Sequence, residues 1–330
     1  MRRSNNRTLS TGRALTACGA LLFVSIAAVS VLQGSERAAG QGRVSVETWS
    51  HLPPQAGYPR ADPGPLSVLT GFQDAQVDAQ LTPEAIHALL REVEEKHKAA
   101  NEKLRYYSYI LKRTEHQLDK EGVSTKYRVH EYRVFPRGKG LVVTAMLSEN
   151  GKELDPKKLA KEKANANKEW QKHRKDREKE PDKIGPWFDG LDFVALPGER
   201  FDDRDVIVFG FTPQTDYKRP KHSNRVTSDL KGQVWIDGQE KMVVKFQAEL
   251  TREFRQGGLS GWLSALKPGT TITIENTRLG NGLWVVNRVD VSSIVKGPGF
   301  LMLPHTERFR VVDEMSDYRE FDPDATDLFR

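Results

Sequence analysis

Thiols are nearly missing from this sequence. Cys18 is the single cysteine among 330 residues, and it lies in a segment that cleavage of a leader would remove. For a mature chain this excludes disulfide staples, thiolate metal sites and a cysteine nucleophile together. Histidines are few, eight in all, and no two stand at the i, i+4 spacing of a helical zinc site. No glycine loop of the phosphate-cradling kind is present. Gly258-Leu259-Ser260-Gly261 approaches the G-x-S-x-G nucleophile elbow, but Trp262 stands where the last glycine belongs. Asp202, Asp203 and Asp205 lack calcium-loop spacing and read as a turn. The reading is therefore a protein without catalysis, cofactor or metal.

An excess of one charge sign is also lacking once the N-terminus is set aside. The formal net charge is +6. Five arginines and one glutamate fall in residues 1–40, leaving 46 basic and 44 acidic side chains, or +2. A near-neutral chain gives no electrostatic footprint for nucleic acid.

What is present begins with a targeting segment. Arg2, Arg3, Arg7 and Arg13 precede an uncharged run from Ala14 to Leu32, and Ala38-Ala39-Gly40 supplies small residues for cleavage. Residues 1–40 read as a signal peptide, with an uncleaved inner-membrane anchor as the rival because about 19 apolar residues can span a bilayer. The expected location is the periplasm or beyond. Residues 41–81, with Pro53-Pro54, Pro59, Pro63 and Pro65, read as a flexible tether.

A folded domain is expected over 82–330. Thr82-Pro83 is an N-cap followed by a proline tolerated at the first helical position. Ile86, Leu89, Leu90, Val93, His97, Ala100 and Leu104 recur at helical spacing, so an amphipathic helix of about twenty residues packs on a sheet, with His97 at the boundary of its apolar stripe. Strands follow near 107–111, 127–135 and 141–147. Asp155-Pro156 starts a charged helical insert, 155–183, which carries Trp170 and projects from the sheet as a solvated helix. Strands resume at 193–196 and 206–211, the latter apolar on both faces and therefore central.

The stretch 232–295 organises the rest. It reads as two long hairpins turning at Asp237-Gly238 and Asn281-Gly282, residue types that tolerate positive φ. Between them Phe254–Leu263 is a glycine-rich crossover or a short lid helix. Met242, Val244, Phe246, Ala248 and Leu250 alternate with Lys245, Gln247 and Glu249, giving one greasy face. The expected fold is mainly β (α+β), a curled antiparallel sheet or incomplete β-barrel of about ten strands, with the helix before it and inserts between.

At this point the chain resembles the periplasmic lipoprotein-carrier superfamily, the LolA/LolB-like half-barrels. The resemblance rests on the exported leader, the amphipathic helix, Tyr107-Ser108-Tyr109, GQVWIDGQEKMVVKFQAEL, the pair KPGTTITIE and NGLWVVNRVDV, and the ending MSDYREF, over roughly 83–321. It implies an apolar cavity that holds acyl chains, with a lipid or the acyl chain of a lipoprotein as partner. The candidate lining is Met242, Val244, Phe246, Leu250, Ile272, Ile274, Val285 and Val289, with Trp262 at the mouth. Filling of that face as closed core is the opposing expectation. An envelope module docking a protein partner or a membrane surface through 157–183 is the alternative function, and an extracytoplasmic hydrolase the third.

Overall fold

A computed structural model describes residues 81–138, 141–173, 188–217, 227–255, 265–298 and 304–330. The leader, the tether up to residue 80, and Trp262 lie outside these residues. Helix α1 (Pro83–Leu104) starts where the N-cap chemistry places it: the Thr82 hydroxyl accepts the N–H of Ala85. Thirteen strands follow, β1 (Tyr107–Leu118), β2 (Ser124–Gly138), β3 (Leu141–Glu149), β4 (Lys152–Glu153), β5 (Leu191–Phe201), β6 (Arg204–Pro213), β7 (Leu230–Asp237), β8 (Val243–Leu250), β9 (Phe254–Arg255), β10 (Ala265–Leu266), β11 (Thr271–Arg278), β12 (Trp284–Pro298) and β13 (Pro304–Glu320). Three of them, β4, β9 and β10, are only two residues long, so the main strands match the expected ten. Helix α2 (Pro156–His173) enters between β4 and β5.

All strands pair antiparallel in one sheet, in the order β4-β3-β2-β1-β13-β12-β11-β8-β7-β6-β5. The sheet does not close among the described residues, since β4 and β5 end the path. The supposed crossover is pinned at both ends, because β9 and β10 pair with each other and β10 with β12.

The apolar stripe of α1 packs on the middle of this sheet. Ile86, Leu90 and Val93 join Phe209 and Phe211 of β6, Val234 of β7, Phe246 and Leu250 of β8, Ile274 of β11 and Val289 of β12 in the main core. One helix shares this core with side chains from β6 to β12. Gly232 is needed in the middle of this surface. A Cβ there would stand 2.0 Å from the Gln247 carbonyl oxygen, and the rings of Phe211 and Phe246 stack at 5.3 Å across the strand that carries it.

A second core gathers at the β7–β8 tip. Val206, Val208, Trp235, Met242, Val244 and Trp284 form it, with Ala100, Leu196 and Phe201 against it. Polar bonds knit its rim: Arg204 pairs with Asp237 at 3.0 Å and lies over the Trp284 ring, whose Nε1 donates to Glu240.

Helix α2 does not project from the sheet as expected. Ala166 and Trp170 are buried with Phe135, Val143 and Ala145 on β2 and β3, and with Leu328 of the C-terminal tail. Trp170 Nε1 donates to the Pro323 carbonyl, and Asn167 bonds both the Asp327 side chain and the Leu328 N–H. One large indole is enough to dock an otherwise charged helix, because its burial and that of a flanking alanine outweigh the solvation of a single helical face. Residues 174–183 of the insert lie outside the described residues.

Candidate functional site

Cross-strand pairing defines the inner wall, because directly opposite residues share a face. One row runs His130 (β2), Arg113 (β1), Asp313 (β13), Val289 (β12), Ile274 (β11), Phe246 (β8), Val234 (β7) and Phe209 (β6). The next row runs Arg128, Glu115, Val311, Val291, Ile272, Ala248, Gly232 and Phe211. Each row is apolar from β12 to β6 and polar on β1 and β2, with charges on Arg113, Glu115 and Arg128. The wall under α1 is therefore two-toned, with the change of character at β13.

The charged half is buried and internally matched. Arg113 grips Asp313 with two bonds, Nε to Oδ1 at 2.8 Å and Nη2 to Oδ2 at 2.7 Å, and Asp313 is 2% exposed. Glu115 pairs with Arg128. Burial lowers the His130 pKa. Tyr109 stacks on Tyr318 at 5.2 Å, and burial raises both phenol pKa values.

The apolar half brings together Phe246, Leu250, Ile274 and Val289 of the candidate lining, with Ile272 against them. Met242 and Val244 are not with them, which corrects the simple alternation. The β7–β8 register shifts so that Trp235 faces Lys245 but Ile236 faces Val243. This bulge puts Val243, not Val244, beside Phe246 and sends Met242 and Val244 into the tip core. Val285 is buried on β12. Ile86, Leu90 and Val93 of α1 fill the apolar face.

Polar bonds fix α1 in place. Glu94 accepts the Phe188 N–H at 3.2 Å, and Lys96 donates to the Glu240 carbonyl at 3.0 Å. His97 is buried, and its Nε2 accepts the Val243 N–H at 2.8 Å. The carbonyl of Val243 takes Asn276 Nδ2 at 2.8 Å, so both backbone groups freed at the bulge are satisfied by side chains. Desolvation pushes the His97 pKa down to about 4.

Beyond Leu230 and Leu250 a polar cavity of about 380 Å³ opens, lined by Gln214, Thr215, Tyr217, Ser228 and Arg252. Tyr217 fits there because Gly190, at φ +77°, has no Cβ; one would stand 2.5 Å from the ring. Arg252 makes no ion pair or hydrogen bond with a described residue.

No protein family and no curated protein matches this chain. Solved structures do. A putative outer membrane lipoprotein-sorting protein domain from Vibrio parahaemolyticus is 13% identical, with a TM-score of 0.30 over 70% of this chain and 93% of that one. A LolA superfamily protein from Nitrosomonas europaea is also 13% identical, at a TM-score of 0.29 over 72% and 93%. A DUF1329 family protein from Desulfovibrio piger is 11% identical, at 0.28 over 72% and 92%. Each is a distant likeness and carries no conclusion about family or ligand for this chain.

The charged half of the wall escaped sequence reasoning. Arg113, Glu115 and Asp313 alternate as a solvent face would, and only pairing across the sheet shows that they turn inward.

Proposed function

We propose that this protein is an exported carrier that holds a lipid tail or acyl chain against the apolar half of its inner wall, without catalysis. The observation behind this reading is the two-toned wall: an apolar trough from β6 to β12, bounded on one side by buried charge and roofed by a single amphipathic helix. The roof is exchangeable in magnitude. Ile86, Leu90 and Val93 each contribute about 1.5–3 kcal/mol by burial, and ten methylenes of an acyl chain contribute about 8 kcal/mol at about 0.8 each. A chain of that length matches the apolar burial of these three side chains, while the bonds of Glu94, Lys96 and His97 would also have to break for α1 to swing aside. Phe246, Leu250, Ile272, Ile274 and Val289 form the proposed contact surface. The Arg252 cavity is the proposed seat of a polar headgroup.

Native mass spectrometry with organic extraction, on the full chain produced through an export pathway, tests this. An extra mass that extracts as lipid is expected. A clean unliganded mass in repeated preparations, with no uptake from vesicles, overturns the reading.

A further inference from the structure

The charged helix α2 has a buried face, and the face opposite it is unusually pure. At 100° per residue, Lys157, Lys161, Lys168 and Lys172 fall within an arc of about 60°, directly away from Ala166 and Trp170. All four are exposed, as is Lys158 at the edge of the arc. None of these ammonium groups forms an ion pair or hydrogen bond with a described residue. The helix's acidic side chains are occupied elsewhere: Asp155 caps the N-terminus, Glu162 accepts the Met146 N–H, and Glu169 faces Arg137 at 3.8 Å. No other residue falls within that arc, and Ala164 and Asn165 flank it about 20° to either side. Helical rise makes the row about 22 Å long, and Trp170 holds it rigidly to β2, β3 and the C-terminal tail.

We propose that this lysine row docks the protein on an anionic lipid bilayer surface. The row has no aromatic, arginine or apolar anchor, the residue types that make a protein interface stick, and lysine is depleted from such interfaces. A linear array of strongly hydrated point charges instead fits a plane of mobile phosphates, which needs no register. The contact is electrostatic, weak and reversed by salt. It deepens the carrier reading by giving it a membrane-facing side, yet it does not rest on that reading, because α2 and the trough belong to different cores.

The test compares three full-length proteins: the parent, Lys157/Lys161/Lys168/Lys172→Gln, and a control, Lys98/Lys103/Lys120/Lys296→Gln, of equal net charge. Each is sedimented with mixed phosphatidylglycerol/phosphatidylcholine vesicles and with pure phosphatidylcholine vesicles, at low and high salt. The leader is common to all three, so its own membrane affinity cancels. At about fivefold per lysine, the α2 variant should partition at least about a hundredfold more weakly to anionic vesicles at low salt, and the control should stay close to the parent. Equal partition of the α2 variant and the control overturns the proposal, as does salt-insensitive binding. Unchanged vesicle binding with lost binding to polyglutamate overturns it in favour of an acidic protein partner. Lipid loading, read by native mass spectrometry on the same proteins, separates the two readings. Docking with no loaded lipid leaves this surface standing and removes the carrier; loaded lipid with lysine-independent partition does the reverse.

Discussion

His97 Nε2 accepts the N–H of Val243 at the single point where β8 breaks step with β7. Because that nitrogen accepts, the imidazole is neutral and carries its proton on Nδ1. The folded pKa of about 4 lies below the ordinary value of 6.5. Between these values the unfolded chain binds a proton that the folded chain refuses. Stability is therefore fully present above pH 6.5 and is lost as pH falls towards 4, by on the order of 3 kcal/mol. Burial lowers His116 and His130 too, with the same sign. Urea unfolding of His97→Gln, whose amide oxygen can still accept the Val243 N–H, should show a shallower acid slope than the parent. Parallel slopes would mean that His97 is solvated.

The Arg113–Asp313 pair makes a sharper prediction about the wall. Asp313→Ala leaves a guanidinium buried without its partner and should cost about 3–5 kcal/mol. Arg113→Met with Asp313→Leu should restore most of that, since a matched apolar pair avoids desolvating two charges. Equilibrium denaturation of the three variants decides it. A loss below about 1 kcal/mol in the single variant would show a wet site.

Phe246 is stacked on Phe211 in the filled core, so Phe246→Ala should destabilise by about 3–5 kcal/mol. Val194, exposed on β5, should tolerate alanine within about 0.5 kcal/mol. Phe246→Glu should unfold the chain; a folded Phe246→Glu protein that has merely lost lipid would instead place Phe246 on an open pocket.

Trp170→Ala should release α2 and the tail together. Limited proteolysis is expected to trim the C-terminus after Phe321 in the variant and spare it in the parent. Equal trimming would show that the indole and its bond to Pro323 do not hold the tail.

Much of the fold was legible because alternation and turn chemistry are local. The N-caps at Thr82 and Asp155 stand where read, and Gly282 takes φ +85° between β11 and β12. What escaped is non-local. At the first hairpin the positive φ falls on Lys241, not Gly238, because Asp237 accepts the N–H groups of Gln239 and Glu240 and lengthens the turn. That longer turn accompanies the bulge, and the bulge split the candidate lining. Gly238 suits its place for a different reason, since its N–H donates to the Asp205 carbonyl and a Cβ there would stand 3.1 Å from that oxygen. Trp170 looked like a lone apolar residue in a charged run because its partners are distant in sequence: Phe135, Val143 and Ala145 on earlier strands, and Phe321, Pro323 and Leu328 about 150 residues further along the chain.

The bulge at Val244 also gives β8 two employers. Its tip belongs to the Trp235–Trp284 core and its body to the core under α1. Withdrawal of the helix would strip the body core of Ile86, Leu90 and Val93 but the tip core of Ala100 alone. The arch of the sheet is thus braced from its far end, in the way a vault keeps its shape after the centring beneath it is taken down.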